Sequence, residues 1–349
     1  MEFLDIVLNI LTSGLPCCLL ALGIFLTFRI LDFADLTAEG SFLLGAAMAA
    51  ALINVGVNPF IATLASIVVG AMAGVITGVL NRCLKIPKLL SGIITLTASA
   101  SIAVLIMGLA SGGDEIFKAT LSLGVGKGTK SQTIFTLFAP YKQVNGQWVV
   151  IAPWGELIKI AIMAAVVVLT MLAIYFFFGT QYGMAIRATG MSEKMAKAQG
   201  INTSLATIVC VAISNAVIAL AGALYAQDMK QASAVTGSGY LVIGLACIIV
   251  GEAIFGKRTF KNWLISVSLG SIIYFVIITI AIRIGLPTDL MPLLYAILIT
   301  IALCIPFIKN RVNAVRQDRR RKHEIQEKID LNEESKEGDI QNVRTEECK

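Results

Sequence analysis

Residues 40–81 read GSFLLGAAMAAALINVGVNPFIATLASIVVGAMAGVITGVLN, with no Asp, Glu, Lys or Arg anywhere in the run. A helix crossing a bilayer needs about 20 apolar residues, so this stretch holds two spans. They are separated at Gly56-Val-Asn-Pro59, where Pro59 suits the first position of a helix. Further charge-free runs cover 6–28, 89–113, 160–186, 198–227, 231–251, 262–282 and 290–308. The predicted spans are 5–30, 36–54, 59–81, 87–110, 155–178, 202–226, 240–256, 262–284 and 289–308. The fold class is therefore all-α: a polytopic integral membrane protein of about nine transmembrane helices. Composition agrees. Hydrophobic residues make up 57% and charged residues 14%, whereas soluble domains carry roughly 25% charge. A chain so poor in charge cannot cover a water-soluble surface.

Small residues recur inside the spans. Gly70, Gly74 and Gly78 repeat every fourth position, a spacing that lets helix backbones approach closely in lipid. A weak internal repeat relates Gly40-Ser-Phe-Leu-Leu-Gly45 to Gly239-Tyr-Leu-Val-Ile-Gly244, each after an irregular polar stretch. Catalytic chemistry finds no footing. There is one histidine, His323, and no CxxC spacing among the seven cysteines, which are read as small apolar packing residues. No metal set and no catalytic residues are assigned. Gly251-Glu-Ala-Ile-Phe-Gly256-Lys257 imitates a phosphate-binding loop, but Arg258 stands where that motif needs Ser or Thr. No cofactor is expected on this chain, and no nucleic acid as a partner.

Orientation follows the basic residues. Arg82, Lys85 and Lys88 lie in one loop, Arg187, Lys194 and Lys197 in another, and Lys257, Arg258 and Lys261 in a third. Lys309, Arg311, Arg316 and Arg319 to Lys322 open the tail. In an alternating nine-helix arrangement all four clusters share one side, which is then cytoplasmic, with the C-terminus. The N-terminus falls outside. It is acidic, so the first apolar run is read as a retained span rather than a signal peptide. The domains are a transmembrane portion, 1–310, and a charged tail, 311–349, whose basic front reads as a stop-transfer cluster that also suits anionic lipid.

The segment 179–201, GTQYGMAIRATGMSEKMAKAQGI, is too polar to span. It predicts a short helix from Ser192 to Ala198, flanked by Gly190 and Gly200, with Met191, Met195, Ala196 and Ala198 lying across the membrane surface. The pattern Arg187-Ala-Thr-Gly190-x₅-Ala196-x₃-Gly200-Ile201 resembles the cytoplasmic loop of the branched-chain amino-acid and ribose permease family of ABC importers. Ala219-Leu-Ala-Gly222-Ala-Leu-Tyr225, the Gly-led helix from Gly239 and the acidic segment Asp32 to Ser41 extend that resemblance over about residues 10–308. The acidic form of that segment looks nearest to relatives associated with aromatic amino acids. The long charged tail departs from the family's usual short terminus.

The resemblance implies a plasma- or inner-membrane permease subunit that moves a small solute, an amino acid or related compound. ATP and Mg would sit on a separate cytoplasmic ABC ATPase. The implied partners also include an extracytoplasmic solute-binding protein and a second permease copy, a homodimer. The coupling set is Arg187, Ala188, Gly190, Met191, Met195, Ala196 and Gly200. Asp35, Glu39, Phe42, Gly239 and Gly244 are the candidates for the translocation path, because charges at membrane depth face protein or water rather than lipid. Asp32, Asp35 and Glu39 also suit the start of the second helix as caps. Arg29 is expected to pair with Asp32 or reach the interface, Glu252 to pair with Lys257 and Arg258, and Phe25, Phe28, Phe33 and Phe42 to pack the helix bend. The rival readings are an ion-gradient-driven secondary transporter and a membrane scaffold that works through its tail.

Overall fold

The computed structural model describes residues 2–112, 118–123, 132–138, 141–144, 147–150, 154–256, 259–284, 297 and 300. Met1–Ala296 form one compact unit and Ile297–Lys349 a second, described only at Ile297 and Thr300, both helical. The rest of the expected ninth span, 289–308, and the boundary at 310 lie outside the described residues.

The long helices are α1 (Glu2–Phe25), α2 (Thr37–Asn54), α3 (Pro59–Arg82), α4 (Lys88–Ala110), α6 (Trp154–Gly179), α9 (Thr203–Met229), α10 (Tyr240–Phe255) and α11 (Phe260–Arg283). The short ones are α5 (Ile134–Phe138), α7 (Gln181–Met191) and α8 (Glu193–Ala198). Among the described residues, seven helices are long and apolar enough to cross a membrane, and α10 is a shorter apolar one. The predicted start of α3 holds: Pro59 is at N1, and the Asn58 side chain accepts from Phe60 N. Between α4 and α6 the chain adds short strands, β1 (Thr120–Ser122), β2 (Tyr141–Val144) and β3 (Gln147–Val150). Strand β1 pairs antiparallel with β4 (Gln231–Ser233), and β2 with β3. These small ribbons were not expected from the sequence.

Neighbouring contacts fix the helix directions. Leu36 lies on Gly92, Gly40 on Leu96 and Ser99, and Asn54 donates to the Ala110 carbonyl, so α2 and α4 run parallel. Gly70 meets Asn215, Gly74 meets Val211 and Gly78 meets Ile208, so α3 and α9 are antiparallel. Gly244 lies on Ile24 while Arg29 pairs with Glu252, which makes α1 and α10 parallel. The eight helices thus alternate in direction. The ends of α1 and α3, the α7–α8 segment and the start of α11 share one side, as the basic loops require.

Helices α1 and α2 are the most enclosed, with 89% and 78% of their apolar windows buried, whereas α6 is only 17% buried and forms an outer wall. The Gly70, Gly74, Gly78 stripe seats α3 on α9. A Cβ added at Gly74 would stand 2.5 Å from the Val211 carbonyl oxygen and 2.8 Å from the Ala212 Cα, and backbone atoms cannot swing aside. Gly74→Leu is expected to cost about 1–3 kcal/mol of stability by overpacking. Gly179→Leu, with nothing within 4 Å, should be near neutral. Melting of the purified variants in detergent tests this, and equal melting temperatures would refute it.

Candidate functional site: a membrane-depth cluster and a surface helix pair

The chain between α1 and α2 winds into a π turn at Leu26–Ile30 and reverses through Asp32, whose φ is +51°. Asp35 follows, 4% exposed. One of its oxygens accepts from Thr37 N at 2.9 Å, closing the start of α2, and the other accepts from Asn215 Nδ2 at 2.7 Å. Ser41 Oγ donates to Asn215 Oδ1 at 2.7 Å, and the Thr37 and Thr77 hydroxyls meet at 2.8 Å. This polar knot ties α2 to the middle of α9 and to α3. Asn215 was missed in the sequence, although it is the lone amide of the apolar run 203–226.

Glu39 sits in the first turn of α2, yet the helix it caps is α10. Its Oε1 accepts from Gly239 N at 3.0 Å, where Gly239 holds φ +79°, and the Leu241 amide donates to it as well. Phe42 stacks on Tyr240 at 4.6 Å and 26°, and Tyr225 closes the group, 5.6 Å from Phe42 and 5.7 Å from Tyr240. The two arms of the internal repeat therefore meet at Glu39–Gly239. Of the expected path residues, Glu39, Phe42 and Gly239 come together. Asp35 belongs to the neighbouring polar knot, and Gly244 faces Ile24 and Leu20 of α1.

On the side of the basic loops, 179–201 forms two helices rather than one. Thr180 caps α7, and extended Ser192 breaks the helix and caps α8. Gly190 lies in the last turn of α7, one residue before its end at Met191. A Cβ there would collide with the Ile30 carbonyl oxygen, so α7 rests directly on the end of α1. Gly200, at φ +80° with open space around it, ends α8 with paired bonds: Gly200 N to Lys197 O and Ile201 N to Ala196 O, each 3.0 Å. Ala196 is buried, Ala188 half-buried, and Met191 and Met195 stand out at 89% and 66% exposure. Glu193 is held by Lys197 at 2.9 Å and by Arg82 of α3 at 2.6 Å. Lys197 first, then Arg82, keep its carboxyl below the usual carboxylate range. The tie to α3 is therefore in place at neutral pH, and it is lost only as pH falls through that lowered value.

Arg29 does not pair with Asp32. It forms an ion pair with Glu252, whose other oxygen accepts from Trp263 Nε1 at 2.8 Å. Lys257 and Arg258, the expected partners of Glu252, lie outside the described residues. Phe25, Phe33 and Phe42 are buried as expected, Phe25 edge-on to Trp263 at 4.8 Å. Near the opposite face, Lys159 of α6 pairs with buried Asp228 of α9.

The family model for the branched-chain amino acid transport system, permease component, matches residues 6–303. The chain belongs to that family. It is a multi-pass membrane permease subunit of an ABC importer for small solutes, and the ion-gradient and scaffold alternatives fall away. This permease is 32% identical over 293 residues to the tyrosine transport system permease protein of Clostridioides difficile (strain R20291), covering 84% of this chain and 88% of that one. It is 25% identical to the galactofuranose transporter permease protein YtfT of Escherichia coli (strain K12), over 87% and 79% of the two chains. With the ribose import permease protein RbsC of the same strain it shares 24% over 70% and 68%.

Proposed function

We propose that this permease imports an amino acid with an aromatic side chain, and that a separate cytoplasmic ATPase docked on α7 and α8 drives it. One observation carries the driving part. The α7–α8 pair shows two methionines to solvent, while its underside is fixed to α1 at Gly190 and to α3 through Arg82–Glu193. A partner that pushes on Met191 and Met195 thereby moves the ends of two spans. Unbranched, polarisable methionine adapts well to such a contact. The work comes from nucleotide favouring one of two conformations, not from chemistry in this chain. Two permease copies, an external solute-binding protein and a cytoplasmic C-terminus complete the reading.

The substrate part rests on the tyrosine transport relative and on the carboxylate–aromatic cluster. Glu39 supplies a negative charge for an ammonium group, and the half-buried Tyr225 and Tyr240 rings, backed by Phe42, supply faces for a cation or a second ring. The test uses proteoliposomes holding the permease, with its ATPase and binding protein, and radiolabelled tyrosine, leucine and ribose. Tyrosine uptake that needs ATP and falls about tenfold or more in Glu39→Gln supports the reading, since loss of one charged contact is worth at least about 1.4 kcal/mol. Ribose uptake with no response to tyrosine would overturn the substrate assignment. Uptake that persists without the ATPase would overturn the driving mechanism.

A further inference from the structure

Where the end of α1, the α7 helix and the start of α11 meet, there is an open cavity of about 340 Å³. Arg29, Arg187, Met191, Thr259, Phe260 and Trp263 line it. Among the described residues, two guanidinium groups converge there against a single carboxylate. Glu252 takes Arg29 on one oxygen and the Trp263 indole on the other. The Arg29 Nε is buried without a hydrogen-bond partner. Arg187 lies 3.8 Å over the Phe260 ring and 5.8 Å from that of Phe178, and has no carboxylate among the described residues. The cavity thus carries an excess of positive charge in a half-buried setting, where unneutralised charge is costly.

Its depth is informative. The first span ends at Ile30 and α11 begins at Phe260, so the cavity lies where two spans end, the level at which lipid headgroups are expected. A half-buried tryptophan is at home there. One turn further into the span, α6 and α11 border a second groove, lined by Met171, Leu172, Phe176, Leu264 and Ile265, with Lys261 at its edge. We infer that the cavity binds the phosphate of an anionic phospholipid, held between Arg29 and Arg187, with an acyl chain running along the α6–α11 groove. Guanidinium groups suit this task because their planar N–H fork matches a phosphate's oxygens. A lipid so placed bridges α7 to α11 and braces the segment that rests on α1.

Native mass spectrometry of the full chain in detergent, titrated with phosphatidylglycerol or phosphatidylcholine, tests the site. Arg187 is the residue to change, because Arg29 is committed to Glu252 and its loss endangers folding. Arg187→Gln is expected to weaken phosphatidylglycerol retention about tenfold, Arg187→Lys less, and the surface control Lys197→Gln not at all. Phosphatidylcholine should bind weakly to every form. Equal phosphatidylglycerol retention by the wild type and Arg187→Gln would overturn the proposal. Displacement of the lipid by millimolar inorganic phosphate would reassign the cavity to a soluble anion. Unchanged lipid retention with loss of ATPase co-purification would assign Arg187 to a protein contact instead.

Discussion

Replacing Gly190 by alanine is expected to lower solute uptake about tenfold or more and to abolish solute-stimulated ATP hydrolysis, a loss of at least about 1.4 kcal/mol of coupling. Alanine suffices because the collision is with Cβ itself, and the atom it meets is the Ile30 backbone carbonyl oxygen. No rotamer relieves that overlap, so α7 must lift away from the end of α1. Leucine should do little worse. The neighbouring glycine behaves by a different rule. Gly200 needs its left-handed backbone, φ +80°, but has empty space around it. Asparagine tolerates that conformation, so Gly200→Asn should retain most activity, while the branched residue of Gly200→Val should not. The measurement is ATPase activity and uptake of the reconstituted complex, alongside the elution profile of each variant to show that it stays folded. Full stimulation in Gly190→Ala would remove the mechanical role of this contact.

The second large effect concerns stability. Asn215→Leu is expected to cost about 3 kcal/mol or more, because it removes the donor that ties the buried Asp35 carboxyl to α9 and leaves only Thr37 to hold it. Asp35 keeps Thr37 N, at 2.9 Å, but loses the 2.7 Å bond that crosses to α9. Ser41 loses its acceptor at the same time. Pairing the change with Asp35→Leu should restore part of the loss, since a buried polar group with no partner is dearer than none at all. Thermal melting of the single and double variants reads this directly. A double variant that loses as much as the two singles together would mean that Asp35 acts mainly through Thr37, not through α9.

These cases mark what the sequence made legible. Spans were readable because charge is excluded from lipid, and the small-residue stripe at Gly70, Gly74 and Gly78 declared its close packing. The surface segment was read as one helix. Ser192 followed by Glu193, a start pattern, placed that helix at Ser192–Ala198, where α8 lies; the helix missed was α7, Gln181–Met191, whose start is the Thr180 cap. The ion pairs were harder. Arg29 and Glu252 stand 223 positions apart, and only the bundle brings them together, so Asp32, three residues away, was the natural but mistaken choice. Glu39 was ambiguous for a related reason: a carboxylate in a first turn suits its own helix start, and nothing local says that a second helix start lies within reach. Tyr225 and Tyr240 carried no periodic mark that would set them apart from other interfacial aromatics.

The brevity of α10 has a consequence for the surrounding lipid. Its Tyr240–Phe255 segment rises about 24 Å at 1.5 Å per residue, while the hydrocarbon layer is about 30 Å thick. Its C-terminal end is pinned beside Arg29 through Glu252, so the shortfall is expected at its N-terminal end. There the chain from Val235 to Gly239 runs in turns rather than helix, with backbone amides and carbonyls not all paired along a helix axis. Such groups do not rest in oil. Water is therefore expected to follow the chain toward Glu39, as a wet dimple on that face of the bilayer. Bilayers of long, saturated acyl chains would resist that indentation, which makes transport by this protein sensitive to the thickness of the membrane that holds it.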